Sequence, residues 1–195
     1  MTNRNTIPRG FTLIELMVTV ALVAILAAVA VPGLTTFQRN AQLTSFSNTM
    51  LASINSARGE AMKRGRYAMV VPNDGTNWSS GWVVFVDMNG TQAYEIASDL
   101  TLLTREAPPS YLDIAISAGG SAADSPTYIM FDASGYAKTK GGSFGANTFE
   151  IKRNDVTGAD QLKQTRRLKI ASTGRVRVCT PVSSTDAQCS ATSAL

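Results

Sequence analysis

The sequence has 195 residues, with 18 lysines and arginines, 14 acidic residues, two cysteines and no histidine. Histidine is the commonest acid–base catalyst near neutral pH, and the chain also has no nucleophile–base pair, phosphate-binding glycine loop or dinucleotide fingerprint. The composition therefore argues against an enzyme, and we expect no catalytic residue, cofactor or resident metal ion.

The chain begins with a short basic flank followed by a long apolar segment. Residues 1–10 contain Arg4 and Arg9 and no acid, whereas residues 11–31 contain a single ionisable side chain, Glu15. A helix of that length, at about 1.5 Å per residue, crosses a hydrocarbon core of about 30 Å. The positive-inside rule keeps the basic flank in the cytoplasm. We therefore predict one inner-membrane span over 11–31, with the rest of the chain in the periplasm.

A cleaved secretory signal is the alternative interpretation, because Ala28-Val29-Ala30 offers small residues to a signal peptidase. Glu15 favours the membrane anchor. A carboxylate at the centre of a span costs about 2.5–3.5 kcal/mol, and a disposable signal has no use for it. The α-amino group of an adjacent helix could supply the missing positive charge.

The segment Gly10-Phe11-Thr12-Leu13-Ile14-Glu15 resembles the processing site of type IV pilins and type II secretion pseudopilins. The resemblance implies that residues 1–10 are a class III leader and that a prepilin peptidase cuts after Gly10. It further implies methylation of Phe11 and pairing of Glu15 with the N-terminal amine of a neighbouring subunit. Other major and minor pilins would then be partners in a filament.

The helix is predicted to continue as an amphipathic half over residues 32–65. Pro32-Gly33 predicts a bend, because proline removes a helical hydrogen bond. Gly65 is the predicted end, with Lys63 and Arg64 favourable at the negative end of the helix dipole. Apolar residues recur at three- and four-residue intervals and form a stripe for a globular head: Leu43, Phe46, Met50, Ile54, Ala57 and Ala61.

Residues 66–195 predict a β-rich periplasmic or extracellular head. Short β-branched and aromatic runs alternate with Gly, Asn, Asp and Pro, which is typical of antiparallel strands. The fold class is therefore α+β, and the resemblance implies the type IV pilin fold. The predicted strands lie near 67–71, 82–87, 93–97, 101–105, 112–117, 128–131, 149–152, 167–171 and 175–179.

A Gly-Trp strand that ends in Asp87-Met88-Asn89-Gly90 resembles a signature of the FimT/FimU/GspH branch of pilin-like proteins. The same residues also fit a buried strand that runs into a turn, since Asn-Gly is a strong turn pair. A calcium loop using Asp87 and Asn89 is a further alternative. Calcium prefers six or more oxygen ligands, and this neighbourhood supplies few.

Cys179 and Cys189 are the two cysteines of the chain, ten positions apart. In an oxidising compartment a disulfide is the expected state. It would close a short loop and stabilise the polar C-terminus by about 2–3 kcal/mol. The spacing is not that of a redox-active Cys-x-x-Cys pair.

Positive charge is concentrated towards the C-terminal end of the head. Residues 32–137 hold six basic and nine acidic residues, a balance of −3, whereas residues 138–178 hold ten and three, a balance of +7. A local excess of this kind suits a polyanion. Lys138 and Lys140 lie at the start of this region.

The end of the basic region predicts a hairpin whose loop is Ser172-Thr173-Gly174. An odd loop length keeps charged and apolar residues on opposite faces, and Gly174 takes the left-handed position that such loops require. The register then pairs Leu168 with Val178 and Ile170 with Val176. The other face is predicted to display four cations to solvent with no acid among them: Arg167, Lys169, Arg175 and Arg177.

Gly174-Arg175-Val176-Arg177 resembles the Gly-Arg-x-Arg element of FimT minor pilins, which are implicated in DNA capture during natural transformation. The resemblance implies that Arg175 and Arg177 contact DNA phosphates, and the predicted face adds Arg167 and Lys169. We therefore predict a minor type IV pilin that binds DNA without sequence specificity. The alternative is a FimU- or GspH-like minor pilin or pseudopilin that primes filament assembly and uses the basic hairpin as a packing surface.

Overall fold

The computed structural model describes residues 10–121, 124–125 and 127–191. Residues 1–9 of the predicted leader lie outside the described part. The chain forms two compact units, Met1–Ala41 and Gln42–Leu195. A long helix, α1 (Leu13–Arg64), begins in the first unit and ends in the second.

The first unit contains the apolar part of α1. By length and composition it could cross a membrane, because its most apolar window has a mean hydropathy of 2.7 and none of that window is buried. Glu15 lies in the first turn of the helix, and not near the middle of the apolar segment as the sequence argument assumed. Its Oε2 accepts hydrogen bonds of 2.9 Å from both the backbone N–H and the hydroxyl of Thr12.

The second unit begins with the amphipathic half of α1, and the predicted apolar stripe is confirmed. Five of its six residues are fully buried, and Phe46 is partly buried against the same core. The helix ends where Gly65 adopts a φ of +65°, and the N–H of Arg66 bonds back to the carbonyl of Ala61 at 3.2 Å. This is a Schellman termination, as the glycine predicted.

Two four-stranded antiparallel sheets pack in the head. The first sheet has the order β3-β2-β1-β5, and the second has the order β4-β6-β7-β8. The strands are β1 (Ala68–Pro72), β2 (Trp82–Val86), β3 (Leu100–Arg105), β4 (Leu112–Gly119), β5 (Ile129–Phe131), β6 (Asn147–Arg153), β7 (Thr165–Ile170) and β8 (Val176–Cys179). A 3₁₀ turn (Trp78–Ser80) precedes β2, and a short helix, α2 (Gly158–Lys163), precedes β7.

One hydrophobic core joins α1 to both sheets. Phe46 on the helix meets Trp82 on β2 edge to face, with ring centroids 5.2 Å apart. Trp78 meets Phe149 on β6 in the same manner at 4.8 Å. Burying aromatic side chains of this size stabilises the fold by roughly 1.5–3 kcal/mol each. This shared core fixes the second sheet, and therefore the β7–β8 hairpin, on the helix.

Eight of the nine predicted strands are present, and the prediction for residues 93–97 is wrong. A carboxylate takes a backbone N–H inside this segment, which a strand would have given to a neighbour, because Asp99 accepts from Glu95 at 2.8 Å. The residue just before the segment is held in the same way, since Asp87 accepts from Gln92 at 2.9 Å.

Candidate nucleic-acid interface

The β7–β8 hairpin has the register that alternation predicted. Leu168 pairs with Val178 and Ile170 with Val176, which places Lys169 opposite Arg177. The loop closes through a 2.9 Å bond from the N–H of Ala171 to the carbonyl of Arg175. This register and this bond confirm the predicted three-residue loop. A loop of this length keeps the apolar side chains of both strands on one face.

Gly174 is required in this loop for two reasons. Its φ is +79°, in the left-handed region that favours glycine. A Cβ at this position would also lie 1.9 Å from the carbonyl oxygen of Gly135. Arg58 of α1 holds the hairpin loop next to the segment that contains Gly135. Its Nε donates to the Gly135 carbonyl at 3.0 Å, and its Nη2 donates to the Thr173 carbonyl at 3.3 Å.

Two of the four predicted surface cations are buried, so the prediction that all four face solvent is wrong. Lys169 is 1% exposed and Arg167 is 8% exposed. Arg167 forms a 2.6 Å ion pair with Glu150 on β6, and the Nζ of Lys169 bonds to Thr148 at 3.1 Å. Burial lowers the pKa of Lys169, and the nearby guanidinium groups of Arg177 and Arg167 lower it further.

The C-terminal loop, residues 180–190, lies over this face. Arg167 donates to the carbonyl of Cys189, and Arg177 donates to the carbonyl of Gln188. Cys189 is itself 2% exposed. The predicted disulfide between Cys179 and Cys189 is present, with the Cα atoms 5.9 Å apart. Sequence alternation could not reveal this cover, because the loop has no periodic pattern.

Asp186 organises the C-terminal loop from within. Its carboxylate accepts backbone N–H groups from Val182 at 3.1 Å, Gln188 at 3.0 Å and Cys189 at 3.1 Å. These bonds, those of Val182 and Cys189 above all, lower the pKa of Asp186. The loop therefore has its own hydrogen-bonded frame in addition to the disulfide.

Arg175 and Arg177 are the predicted site residues that can reach an external anion. Arg175 is exposed and Arg177 is half-buried. Both line a pocket of about 320 Å³ together with Ala171 and Thr173. Among the described residues, the buried Nε of Arg177 has no hydrogen-bond partner. The pocket thus places the exposed side chain of Arg175 beside the half-buried side chain of Arg177.

Lys138 lies beside the exposed ring of Phe144, and Lys140 lies beside the buried ring of Tyr128. The Nζ of Lys138 is 4.0 Å from the centre of the Phe144 ring and 3.8 Å from a carboxylate oxygen of Asp132. The Nζ of Lys140 is 4.9 Å from the centre of the Tyr128 ring. Both lysines therefore extend a basic surface that also contains aromatic side chains.

Asp87 and Asn89 stabilise the loop after β2 by accepting hydrogen bonds from its backbone N–H groups. The carboxylate of Asp87 accepts the N–H of Gly90 at 2.6 Å and that of Gln92 at 2.9 Å. Asn89 accepts the N–H of Thr91 at 3.1 Å. The Asp-x-Asn-Gly sequence therefore stabilises a turn, in agreement with the structural alternative.

Sequence reasoning missed three features of the candidate sites. Arg58 is remote in sequence from both segments that it fixes, so no local pattern could indicate its role. The exposed pair Tyr136 and Phe144 gave no periodic signal. The sequence Thr12-x-x-Glu15 matches a helix capping box and could have been recognised.

Two family models match the chain. The model for the type II transport protein GspH matches residues 47–187, which is most of the head and the end of α1. The chain belongs to the GspH family. The model for the prokaryotic N-terminal methylation motif matches residues 8–31, the region of the predicted leader junction and span. The chain is therefore a pilin-like protein of the GspH type, and relatives of this kind are structural proteins and not enzymes.

Curated relatives match over short segments. The type IV major pilin PilA of Myxococcus xanthus is 37% identical over 60 residues, 31% of this chain and 27% of PilA. The type IV major pilin PilE1 of Neisseria gonorrhoeae is 52% identical over 40 residues, 20% of this chain and 24% of PilE1. The chain therefore spans about a quarter of the length of the curated relatives that it matches.

The fold matches a solved minor pilin. The crystal structure of the type IV minor pilin FimU from Pseudomonas aeruginosa aligns with a TM-score of 0.53, covering 75% of this chain and 93% of FimU at 22% identity. The predicted pilin fold, a long N-terminal helix with an antiparallel β head, is confirmed by this likeness.

Proposed function

We propose that this chain is a FimT-like minor type IV pilin whose head binds DNA phosphates through Arg175 and Arg177. In this proposal a prepilin peptidase cleaves after Gly10 and Phe11 is methylated. The apolar part of α1 then anchors the protein as a single span of the inner membrane, with the head in the periplasm. Assembly with other pilins carries the head to the cell-surface pilus, where it captures DNA for natural transformation.

The pocket beside the hairpin loop carries this proposal. It brings the exposed side chain of Arg175 together with the half-buried side chain of Arg177. Guanidinium groups bind phosphate oxygens in a forked geometry, and phosphates are the same whatever the base. Binding is therefore sequence-independent. Two phosphate contacts correspond to a salt slope of about −2, so useful capture needs several subunits on one long DNA molecule.

The competing function is a structural role in priming assembly of a pilus or a type II secretion pseudopilus. One observation favours it: inside the head, Arg167 forms an ion pair with Glu150 and Lys169 forms a hydrogen bond with Thr148. A basic face that is mostly committed to internal contacts leaves only the loop end of the hairpin for a ligand. The two functions differ in whether Arg175 and Arg177 contact DNA or another pilin subunit.

The test compares wild-type protein with the double variant Arg175→Gln and Arg177→Gln. Full-length protein in a non-ionic detergent is titrated with a labelled duplex at low and moderate salt. We expect salt-sensitive binding by the wild type and at least a tenfold loss in the variant, since each charge-assisted contact contributes about 1.5 kcal/mol or more.

The matched control is Lys63→Gln with Lys163→Gln. It removes the same charge from two lysines whose side chains are 70% and 74% exposed. We expect its DNA affinity to stay near the wild-type value, and pili to form normally in cells that carry either variant. Unaltered DNA binding together with lost piliation in the arginine variant would establish the structural role instead.

A further inference from the structure

Two aromatic side chains of the head lie on its surface next to each other. Tyr136 is 42% exposed and Phe144 is 60% exposed. Their ring centroids are 5.6 Å apart, with an angle of 65° between the ring planes. The hydrophobic core does not use them, because neither belongs to either buried cluster. Because the rings are inclined to each other, each exposed ring offers its own face on which a flat ligand can stack.

The two rings are held by a regular backbone frame. Lys138 and Phe144 form an antiparallel bridge, and the N–H of Gly145 bonds to the carbonyl of Ala137 at 2.9 Å. The turn between them closes with a bond of 2.9 Å from the N–H of Thr139 to the carbonyl of Ser143. The aromatic pair therefore has a fixed position, which reduces the entropy lost when a ligand stacks on it.

The same frame is joined to the loop that carries Arg175. The N–H of Ala137 donates to the carbonyl of Ser172 at 2.9 Å. Arg58 bonds to both segments, at Gly135 and at Thr173. The aromatic pair and the arginine loop are thus parts of one supported surface, and they are not separate mobile elements.

Positive charge accompanies the rings. Lys138 lies over Phe144, and Lys140 lies near Tyr128. A neighbouring pocket of about 590 Å³ is lined by groups that include Tyr128, Lys140 and Phe144. Aromatic rings interleaved with cations are the chemistry by which proteins bind single-stranded nucleic acids, with stacking for the bases and cations for the backbone.

We propose that Tyr136 and Phe144 stack unpaired bases, so that the head binds single-stranded DNA more tightly than duplex. This inference rests on the proposed function, since Arg175 and Arg177 hold the phosphates of the same strand. In a duplex each base face is covered by the neighbouring base pair, so the two rings cannot stack on it. In a single strand each base has a free face, and stacking does not depend on which base is present.

The test uses three labelled probes: a thymidine oligonucleotide, an abasic deoxyribose-phosphate strand of the same length, and a duplex. Full-length protein in non-ionic detergent is compared with the variant Tyr136→Leu with Phe144→Leu, which keeps apolar side chains but removes the rings. We expect the variant to bind the thymidine strand about tenfold more weakly, with a change of about twofold or less for the abasic strand and the duplex. Its salt slope should match that of the wild type, because the cations are unchanged.

A control and a second variant separate the possible outcomes. Ile96→Ala, at a surface residue that is 83% exposed, should leave all three affinities unchanged. Arg175→Gln with Arg177→Gln should weaken binding of every probe.

If the arginine variant does so while the aromatic variant binds the thymidine strand normally, the stacking inference is wrong and the DNA-binding function stands. If the wild type binds none of the probes at low salt, both proposals are wrong. Loss of piliation with normal DNA binding in the aromatic variant would instead assign the rings to packing between pilins.

Discussion

At the scale of single residues, the head keeps a lysine away from water in the middle of a β-sheet. Lys169 lies between two strands, with its ammonium near Thr148 and with the guanidinium groups of Arg167 and Arg177 close by. Desolvation and like charges both disfavour the protonated form. The charge on Lys169 therefore reduces the stability of the folded head at neutral pH.

The pH dependence of unfolding tests this assignment. The pKa of Lys169 is lowered in the folded state from its ordinary value of 10.5, so below that value the unfolded chain binds more protons. The contribution of Lys169 to the free energy of unfolding then becomes more favourable as the pH rises towards that value. We expect the free energy of unfolding of wild type minus that of Lys169→Met to become more positive between about pH 7 and about pH 10.

Denaturant unfolding followed by tryptophan fluorescence measures the difference, because Trp78 and Trp82 are both buried in the core. Lys63→Met is the control for loss of a lysine elsewhere, at a side chain that is 70% exposed. The difference in free energy of unfolding between wild type and Lys169→Met could instead stay constant or fall with pH. That result would show that contacts in the folded head compensate the cost of burying the ammonium.

At the scale of structural elements, the C-terminal loop decides which cations of the hairpin remain available. Its backbone carbonyls accept from Arg167 and Arg177, and the disulfide holds the loop at Cys179. Carbonyl oxygens there accept from arginine N–H groups that phosphate oxygens would otherwise use. The loop therefore competes with an anion for Arg177, whereas Arg175 lies outside that competition.

Removing the disulfide should loosen this cover. For Cys179→Ser with Cys189→Ser we expect a loss of about 2–3 kcal/mol in the free energy of unfolding of the head. We also expect tighter duplex binding with a similar salt slope, because release from the carbonyl of Gln188 strengthens the phosphate contact that Arg177 already makes. Thermal unfolding and the salt-dependent DNA titration measure the two effects.

Wild-type protein treated with a thiol reductant is the matched control, since the chain has only these two cysteines. It should reproduce both effects of the double variant. Weaker DNA binding in the reduced protein would mean that the loop orders the binding residues and does not cover them.

The hairpin shows what the sequence could and could not predict at this scale. Alternation predicted its register and the three-residue loop, because a shift of one residue would have mixed charge with the core. The same alternation predicted four exposed cations and was wrong for two of them. An outward face becomes a buried one when another segment covers it, and the C-terminal loop and Glu150 on β6 are brought there by tertiary packing that local patterns do not contain.

At the scale of the whole molecule, the N-terminal part of α1 differs in kind from the head. The head buries apolar residues in a core shared by the helix and both sheets and in a second cluster that includes Met69, Phe85 and Tyr128. The apolar residues before Pro32 are exposed, including Leu13, Ile14 and Leu26. A soluble protein does not leave such a surface in water, so this segment requires lipid or neighbouring helices. That requirement agrees with the match to the N-terminal methylation motif at 8–31.

The proposed function assigns Glu15 a role in assembly, and the Thr12–Glu15 pair allows its charge to be tested separately from its capping role. Glutamine can cap a helix as glutamate does, so Glu15→Gln should keep the helix start while removing the charge. We expect this variant to insert in the membrane normally but to fail to enter pili, because a partner amine left unpaired in lipid costs about 3–5 kcal/mol.

Thr12→Ala supplies the reciprocal control, because it removes the capping partner and keeps the carboxylate. We expect this variant to enter pili. Membrane fractionation and immunoblotting of sheared pili measure insertion and assembly separately in both variants. If Thr12→Ala blocked assembly while Glu15→Gln did not, Glu15 would act through the helix start, and a charge pair between subunits would not be needed to explain a carboxylate in the anchor.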